Sequence, residues 1–457
     1  MHISEKRRAQ ILGNPARIIV TSFAVIILAG SLLLMLPVCS KSGTVTPFLD
    51  TLFTATSATC VTGLVVVDTY LHWSVFGQLI ILLMIQIGGL GLITFATFFN
   101  IAIGRRLGLR SMQLAQEGVS SMNMFDTTRL IKMIITISLV FEGIGALVLC
   151  TVFVPDFGAE GIYVSFFLAV SAYCNAGIDI LGRQGAYASL THYADNPVVL
   201  ITIMALIICG GLGFIVWHDL YQYKKTHRLM LHTKIVLIIT GILIFSGAVI
   251  FLALEWNNPA TLKNMPVDDK IANAFFQSVT ARTAGFNSVS VDGMTGATKL
   301  SSILLMFIGA APGSTAGGIK VTTFVVLVMT VISVIRGRED TTVLGRRVDK
   351  LVVYKALAVF SLAGIAVAVS TSIIFFSSDS LHHISGIDAL FESVSAFGTV
   401  GLSVGVTEVA NSISRIALIL TMFLGRVGPV SLALSLAMHG NNKHKGQVIP
   451  EGKILVG

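Results

Sequence analysis

The residues of this chain best placed to do chemistry are backbone carbonyls held in position by glycine. Four strings, FTATSATCVTG, FLAVSAYCNAG, FFQSVTARTAG and FESVSAFGTVG, carry a phenylalanine ten positions before a glycine: Phe53 to Gly63, Phe167 to Gly177, Phe275 to Gly285 and Phe391 to Gly401. Separations of 114, 108 and 116 residues between these glycines describe a fourfold internal repeat that can surround a single axis. Two positions before each glycine stand Val61, Asn175, Thr283 and Thr399, and one position after it Leu64, Ile178, Phe286 and Leu402, so size and polarity match better than identity. Glycine admits positive φ and lets successive carbonyls face one way with no side chain between them. Rings of carbonyls of that kind can replace the hydration shell of a monovalent cation. A helix-ending glycine would account for any one of the four; it does not account for four in a matching frame.

The elements that must hold these turns are apolar. Of 457 residues, 54% are hydrophobic and 12% charged, with mean hydropathy +0.85, against about 25% charged in a soluble domain. Mostly apolar windows long enough to cross a hydrocarbon core of about 30 Å begin near Ile18, Val75, Leu130, Val198, Ile235, Ser301, Leu351 and Ile416. The expectation is therefore an all-α membrane protein of eight transmembrane helices plus four re-entrant half-helices, arranged as span, half-helix with glycine turn, span. The units run 17–103, 129–223, 233–335 and 351–438, between an N-terminal segment 1–16 and a tail 439–457. Backbone that leaves a helix at membrane depth is tolerated only where protein or a watery cavity satisfies it, and four such places on one axis imply a pseudo-fourfold pore. Half-helices entering from outside would also aim their partially negative C-terminal ends at the cavity below the ring, which favours a cation there.

Charge placement orients the chain. The net charge of +8 comes from basic clusters on alternate loops, at Lys6–Arg17, Arg105–Lys132, Lys224–Lys234, Arg336–Lys355 and Lys443–Lys453. That distribution argues for a positive-inside membrane protein with both termini cytoplasmic, not for nucleic-acid binding. Lys41, Arg183, Lys263, Lys270, Arg282, Lys299 and Arg415 fall on the outer side, together with most of the acids, among them Asp50, Asp68, Asp179, Asp292, Asp388, Glu392 and Glu408. An acidic outer vestibule raises the local cation concentration. Cys39, Cys60, Cys150, Cys174 and Cys209 have no metal-ligand spacing and read as packing residues. The first apolar run is long and has no small-residue cleavage site, so a retained span is expected, not a signal peptide.

Taken together, these features resemble the Trk/Ktr/HKT superfamily of potassium transporters, whose single chain assembles four span, pore-loop, span units around a filter like that of a potassium channel. The resemblance covers nearly the whole chain and rests on TCVTGL (59–64), CNAGID (174–179), RTAGFN (282–287) and GTVGLS (398–403). It implies a selectivity filter built from Val61, Thr62, Gly63, Asn175, Ala176, Gly177, Thr283, Ala284, Gly285, Thr399, Val400 and Gly401, with K+ as the transported ion at the filter glycines. In the plant branch, serine in place of the first glycine goes with sodium preference, so Gly63 implies potassium. Eight spans, without the additional N-terminal hairpin of the larger Trk members, look most like the membrane subunit of a bacterial Ktr system. By that resemblance the chain is a homodimer in the plasma membrane, resting on a cytosolic RCK ring of nucleotide-binding subunits. That partner is expected to be a separate polypeptide, because no strand followed by G-x-G-x-x-G and an acid occurs here.

Two further constellations fit the same picture. The sixth apolar run is broken by GAAPGSTAGGIK (309–320), in which Gly309, Pro312, Gly313, Gly317 and Gly318 disfavour a helix and Ser314, Thr315 and Lys320 can satisfy the freed backbone. This string looks like the family's intramembrane gating loop. Its glycine spacing also suggests a phosphate-binding loop, but Ile319 separates glycine from Lys320 and no Ser or Thr follows. Arg426, inside the eighth run, should face a polar cavity or a partner, because a mid-membrane charge costs about 2.5–3.5 kcal/mol; it resembles the family's basic residue below the filter, which limits throughput and holds the gate. Glu142 is an isolated carboxylate in an apolar run, and Gly88–Gly91 and Gly210–Gly213 read as sites of close packing or bending.

Competing functions fare worse. An enzyme reading lacks paired catalytic groups at membrane depth: neither HExxH nor GxSxG occurs there. A membrane scaffold leaves four glycine turns unexplained. The alternative within the same class is a sodium or non-selective monovalent cation transporter, with Na+ otherwise a coupling or activating ion, and no organic cofactor is expected in this chain.

Overall fold

The computed structural model describes residues 15–91, 94, 127–377, 384–429 and 431. The ends of the first and fourth sequence units, the 1–14 and 432–457 termini and the basic loop holding Arg105, Arg106 and Arg110 lie outside these residues. Four long helices, α1 (Pro15–Leu34), α4 (Thr127–Phe157), α8 (Leu231–Glu255) and α12 (Lys350–Ser377), are long and apolar enough to cross a membrane. At 1.5 Å per residue even the shortest spans about 30 Å. Between them lie four shorter helices of 13 or 14 residues: α2 (Phe48–Cys60), α5 (Glu160–Tyr173), α9 (Val267–Thr280) and α13 (Gly386–Gly398). These carry Ser, Thr, Asn and Gln, and their C-terminal halves are largely buried while their first turns keep exposed side chains such as Phe48, Ile162, Val267 and Ile387, so the polar residues near their ends are surrounded by protein.

After each short helix comes a second apolar helix, and each starts on a side-chain cap. Ser74 accepts from Gly77 N at the start of α3 (Val75–Leu90), and Asn196 from Val198 N and Val199 N at α6 (Pro197–Gly211). Thr295 accepts from Thr298 N at α10 (Gly296–Phe307), and Asn411 from Ser414 N at the last helix described, Ser412–Val427. Such caps satisfy amide groups that helix starts leave free.

Sequence and structure part company over these second helices. The sequence expects eight spans, with a break in the sixth run and close packing or bending at Gly88–Gly91 and Gly210–Gly213; among the described residues each of these four second helices ends within its apolar run. Gly91 (φ 81°) ends α3. Gly213 (φ 88°) separates α6 from α7 (Phe214–Thr226), which turns away by 90°. Residues 308–320 separate α10 from α11 (Val321–Ile335), and Gly428 (φ 90°) ends Ser412–Val427, which is α14 in this numbering. Among the described residues there are therefore four continuous spans, or five if the bent pair counts as one. Hydropathy sees only the apolar composition of these runs, whereas the backbone is set by glycines that accept left-handed conformations.

Side-chain contacts near the starts of the short and second helices link the four sequence stretches in turn. Tyr163 Oη donates to Gln78 Oε1 at 3.2 Å, linking α5 to α3. Asn273 Nδ2 of α9 donates to Ala194 O at 2.8 Å, just ahead of α6. Lys299 of α10 pairs with Asp388 of α13 at 2.9 Å, and Arg415 of α14 pairs with Asp50 of α2 at 2.5 Å. The last pair joins the two ends of the sequence, 365 residues apart.

Candidate functional site

The four glycine turns form one ring. Each follows a short helix through a residue in the left-handed region, Val61 (φ 57°), Asn175 (60°), Thr283 (72°) and Thr399 (50°), and then reaches Gly63 (96°), Gly177 (65°), Gly285 (86°) and Gly401 (92°). Alternation of this kind turns successive carbonyls to one side. A β-carbon added to Gly63 would overlap Ala176 O, one on Gly177 would overlap Ala284 O, one on Gly285 would lie 2.6 Å from Val400 O, and one on Gly401 would overlap Thr62 O. The contacts thus close in the order first, second, third, fourth, first. Any side chain at these positions is disfavoured on two counts, the sign of φ and the scarcity of space, so a substitution there must shift its neighbour.

Backbone carbonyls and hydroxyl groups of the short helices both pin the turns. Thr62 N donates to Ser57 O at 2.8 Å, Ala176 N to Ser171 O at 2.7 Å and Val400 N to Ser395 O at 2.8 Å. In the first and fourth turns the serine hydroxyl also accepts from the glycine itself, Gly63 N to Ser57 Oγ and Gly401 N to Ser395 Oγ, each at 3.1 Å. In the second and third, the hydroxyl donates past the glycine, Ser171 Oγ to Ile178 O and Thr280 Oγ1 to Phe286 O, each at 2.6 Å. The third turn is one residue tighter: Ala284 N bonds Thr280 O at 3.0 Å, and the fully buried phenylalanine matching Phe53, Phe167 and Phe391 is Phe276, with Phe275 only partly buried. The even spacing read from the sequence therefore shifts by one position there. Sequence reasoning passed over these hydroxyls, although Ser57, Ser171 and Ser395 all stand six positions before their glycines.

Outside the ring, all four glycines line a cavity of about 420 Å³, and so do Asp68, Asp179, Asp292 and Glu408. Asp179 is pushed up to about 6 by burial, with Asp68 nearby adding to the rise. Burial also raises Glu408. The acids expected on the outer side thus include four that meet at the mouth of the ring.

Beneath the ring lies the 308–320 break, bonded directly to the second and fourth units. Thr315 Oγ1 donates to Tyr173 O at 3.2 Å, at the end of α5. Gly317 N donates to Thr399 Oγ1 at 3.1 Å, and a β-carbon on Gly317 would overlap that hydroxyl. Ala311 N bonds Gly211 O at 3.1 Å, while Phe214 N bonds Gly313 O at 2.8 Å, clasping Pro312 against the bend between α6 and α7. Gly309 N reaches Ile319 O at 2.8 Å, so the two ends of the loop pair with each other. Lys320 Nζ folds back on Ala316 O (2.6 Å) and Gly317 O (3.2 Å), and Ser314 Oγ on Ala311 O (2.7 Å). Gly318 N bonds Gly425 O at 3.3 Å.

Arg426 joins this loop to the first unit, donating to Thr315 O, Gly88 O and, at 3.3 Å, Gly89 O. A guanidinium bonded to three carbonyls answers the expectation of a polar partner. The small residues foreseen as packing sites act as such, since β-carbons on Gly88 and Gly210 would strike Thr59 O and Tyr173 O; Gly425, which the sequence reading did not single out, packs the same way on Phe397 O. Glu142 accepts from Gln86 Nε2 at 3.0 and 3.3 Å and lies behind Cys174, away from the ring glycines. Arg282 departs from its expected place on the outer side: it is buried at the end of α9, 7% exposed.

The architecture is that of a multi-pass membrane cation transporter. A family model described as TrkH, cation transport protein, matches residues 4–445, and the chain belongs to that family. It is 37% identical to the potassium/sodium uptake protein NtpJ of Enterococcus hirae, over 99% of both chains. It is likewise 37% identical to the Ktr system potassium uptake protein B of Bacillus subtilis, over 97% of both. The crystal structure of the potassium transporter TrkH from Vibrio parahaemolyticus superimposes with a TM-score of 0.70 at 16% identity, covering 92% of this chain and 84% of that one, and shares its fold. These relatives are cation transporters, not enzymes.

Proposed function

We propose that this chain is the potassium-conducting membrane subunit of a Ktr-type uptake system. The observation that carries the reading is the closed ring of four glycine turns, each with a left-handed residue two positions earlier and each glycine in contact with the next unit's carbonyl. Ions collect in the acidic outer cavity, exchange water for the carbonyls of Val61–Gly63, Asn175–Gly177, Thr283–Gly285 and Thr399–Gly401, and meet the 309–320 loop below. Arg426 and Lys320 hold that loop across the path and oppose cation passage. The names of the Bacillus subtilis and Vibrio alginolyticus relatives, as Ktr system proteins, support a multi-component assembly. In this reading the chain is a homodimer in a bacterial plasma membrane, termini inside, and a cytosolic RCK ring moves the loop.

The experiment is potassium against sodium uptake into liposomes holding the purified chain, with and without a ring subunit, for the native protein and Gly63→Ser. Potassium-selective flux that turns towards sodium in Gly63→Ser is the expected result. Equal potassium and sodium flux in the native protein would overturn the selectivity assignment. That outcome would favour the non-selective alternative, to which the potassium/sodium name of the Enterococcus hirae relative is relevant.

A further inference from the structure

One buried charge takes no part in the scheme above. Arg282 stands three positions before Gly285, directly after α9 and its cap Ala281. The corresponding residues of the other turns, Cys60, Cys174 and Gly398, carry no charge. Arg282 Nη2 reaches Thr240 Oγ1 of α8 at 3.4 Å, and Nε is buried with no partner. Among the described residues no carboxylate lies within ion-pair distance of it. It shares a small internal cavity with Gly211, Thr240, Ile244 and Ala310, so the end of α6 and the start of the intramembrane loop lie beside it.

An unpaired guanidinium in a membrane interior is costly, and what offsets the cost here is helical. The terminal carbonyls of α9 and of α6 present partial negative charge at their C-terminal ends. The same short-helix ends favour a cation below the ring in the other three units, so an arginine at this one cancels part of that field. Three residues span at most about 11 Å, which places the Arg282 backbone within that distance of Gly285.

We propose that Arg282 is a throughput-limiting positioning residue: its charge neutralises the C-terminal end of the third short helix and lowers cation occupancy beneath the ring, adding to the barrier made by Arg426 and Lys320. The inference rests on the filter reading. Because the charge acts below the ring on every monovalent cation alike, it sets rate and leaves ion preference untouched.

The test is potassium and sodium flux through the full-length chain in liposomes, with its ring subunit, for Arg282→Gln, Arg282→Lys and Thr240→Asp, each with a thermal melt. At an effective dielectric near 20, loss of a unit charge at about 15 Å corresponds to roughly a sixfold rise in maximal potassium flux. Arg282→Gln is expected to show that rise with the potassium-to-sodium ratio unchanged, and Arg282→Lys to retain native flux. Thr240→Asp, which supplies a counter-charge beside Nη2 and keeps the arginine, should reproduce the rise. Native flux in a folded Arg282→Gln, equal losses in Gln and Lys, or failure of both Arg282→Gln and Thr240→Asp to fold would overturn the proposal, the last by making the charge a folding requirement. Failure of the filter reading shows separately, as an unchanged ion ratio in Gly63→Ser.

Discussion

The first and fourth glycine turns differ from the third in how they are built, yet all reach the same backbone. In the first and fourth, a serine six positions upstream holds the glycine N–H. The third is one residue shorter, its threonine hydroxyl holds the carbonyl of Phe286, and a buried arginine stands behind it. Even so, Thr283 and Gly285 take the same left-handed and positive-φ conformations as Val61 and Gly63 or Thr399 and Gly401. What the fold holds constant is the direction of the carbonyls; the side chains that achieve it differ from unit to unit. A coordinating ring depends on four oxygens equidistant from an ion, and it is indifferent to the means of support.

The strongest way to break the likeness is to fill the ring. Gly401→Ala places a β-carbon into Thr62 O and should reduce potassium uptake by about a hundredfold or more, read as radioisotope or rubidium flux at native expression. Gly285→Ala meets its neighbour less closely and should retain more flux; the reverse ranking would contradict the ring order drawn from these contacts.

Next in size is the tie beneath the ring. Arg426→Gln loses charge-assisted bonds to Thr315 O and Gly88 O, and under the gating proposal flux without the cytosolic subunit should rise about tenfold while the melt drops. A drop in stability with no rise in basal flux would separate the structural tie from the gate.

Smaller effects sharpen the comparison of supports. Ser57→Ala and Ser395→Ala leave a buried glycine N–H unpaired and should each cost about 1–3 kcal/mol in thermal or denaturant unfolding. Ser171→Ala and Thr280→Val remove a hydroxyl donor from a carbonyl, whose two lone pairs tolerate a lost bond better than an N–H does, and should cost less, about 1 kcal/mol. Equal costs would show that both hydroxyls do the same work despite their different partners.

The smallest expected effect is on pH. Burial raises the Asp179 carboxyl to about 6, so this group is charged above that pH and neutral below it. Lowering the outside pH from 7.5 to 5 removes one negative charge from the mouth, and the half-saturating potassium concentration should rise about twofold. In Asp179→Asn the rise should already be present at pH 7.5 and the pH dependence should flatten.

Much of this protein is written in the chain itself. Apolar windows and basic loops define a membrane protein, because a bilayer leaves few options for burying apolar residues and satisfying the backbone. The four glycines at matching spacing mark the turns, since a positive φ beside a neighbouring carbonyl leaves little other choice of residue. GAAPGSTAGGIK marks its own break through proline and paired glycines. What the linear pattern could not carry is closure. That Gly401 packs on the first turn, that Arg415 meets Asp50, and that Arg426 spans from Thr315 to Gly88 are contacts between residues hundreds of positions apart, and no local preference encodes them. Arg282 shows the same limit. By charge and position in a polar string it reads as an outer-loop residue, and only packing against α8 and the end of α6 makes it an interior one. Composition and local conformation settle which segments are apolar enough for a membrane and where they turn; which turns face one another, and which charges end up buried between them, is settled by how distant parts of the chain pack.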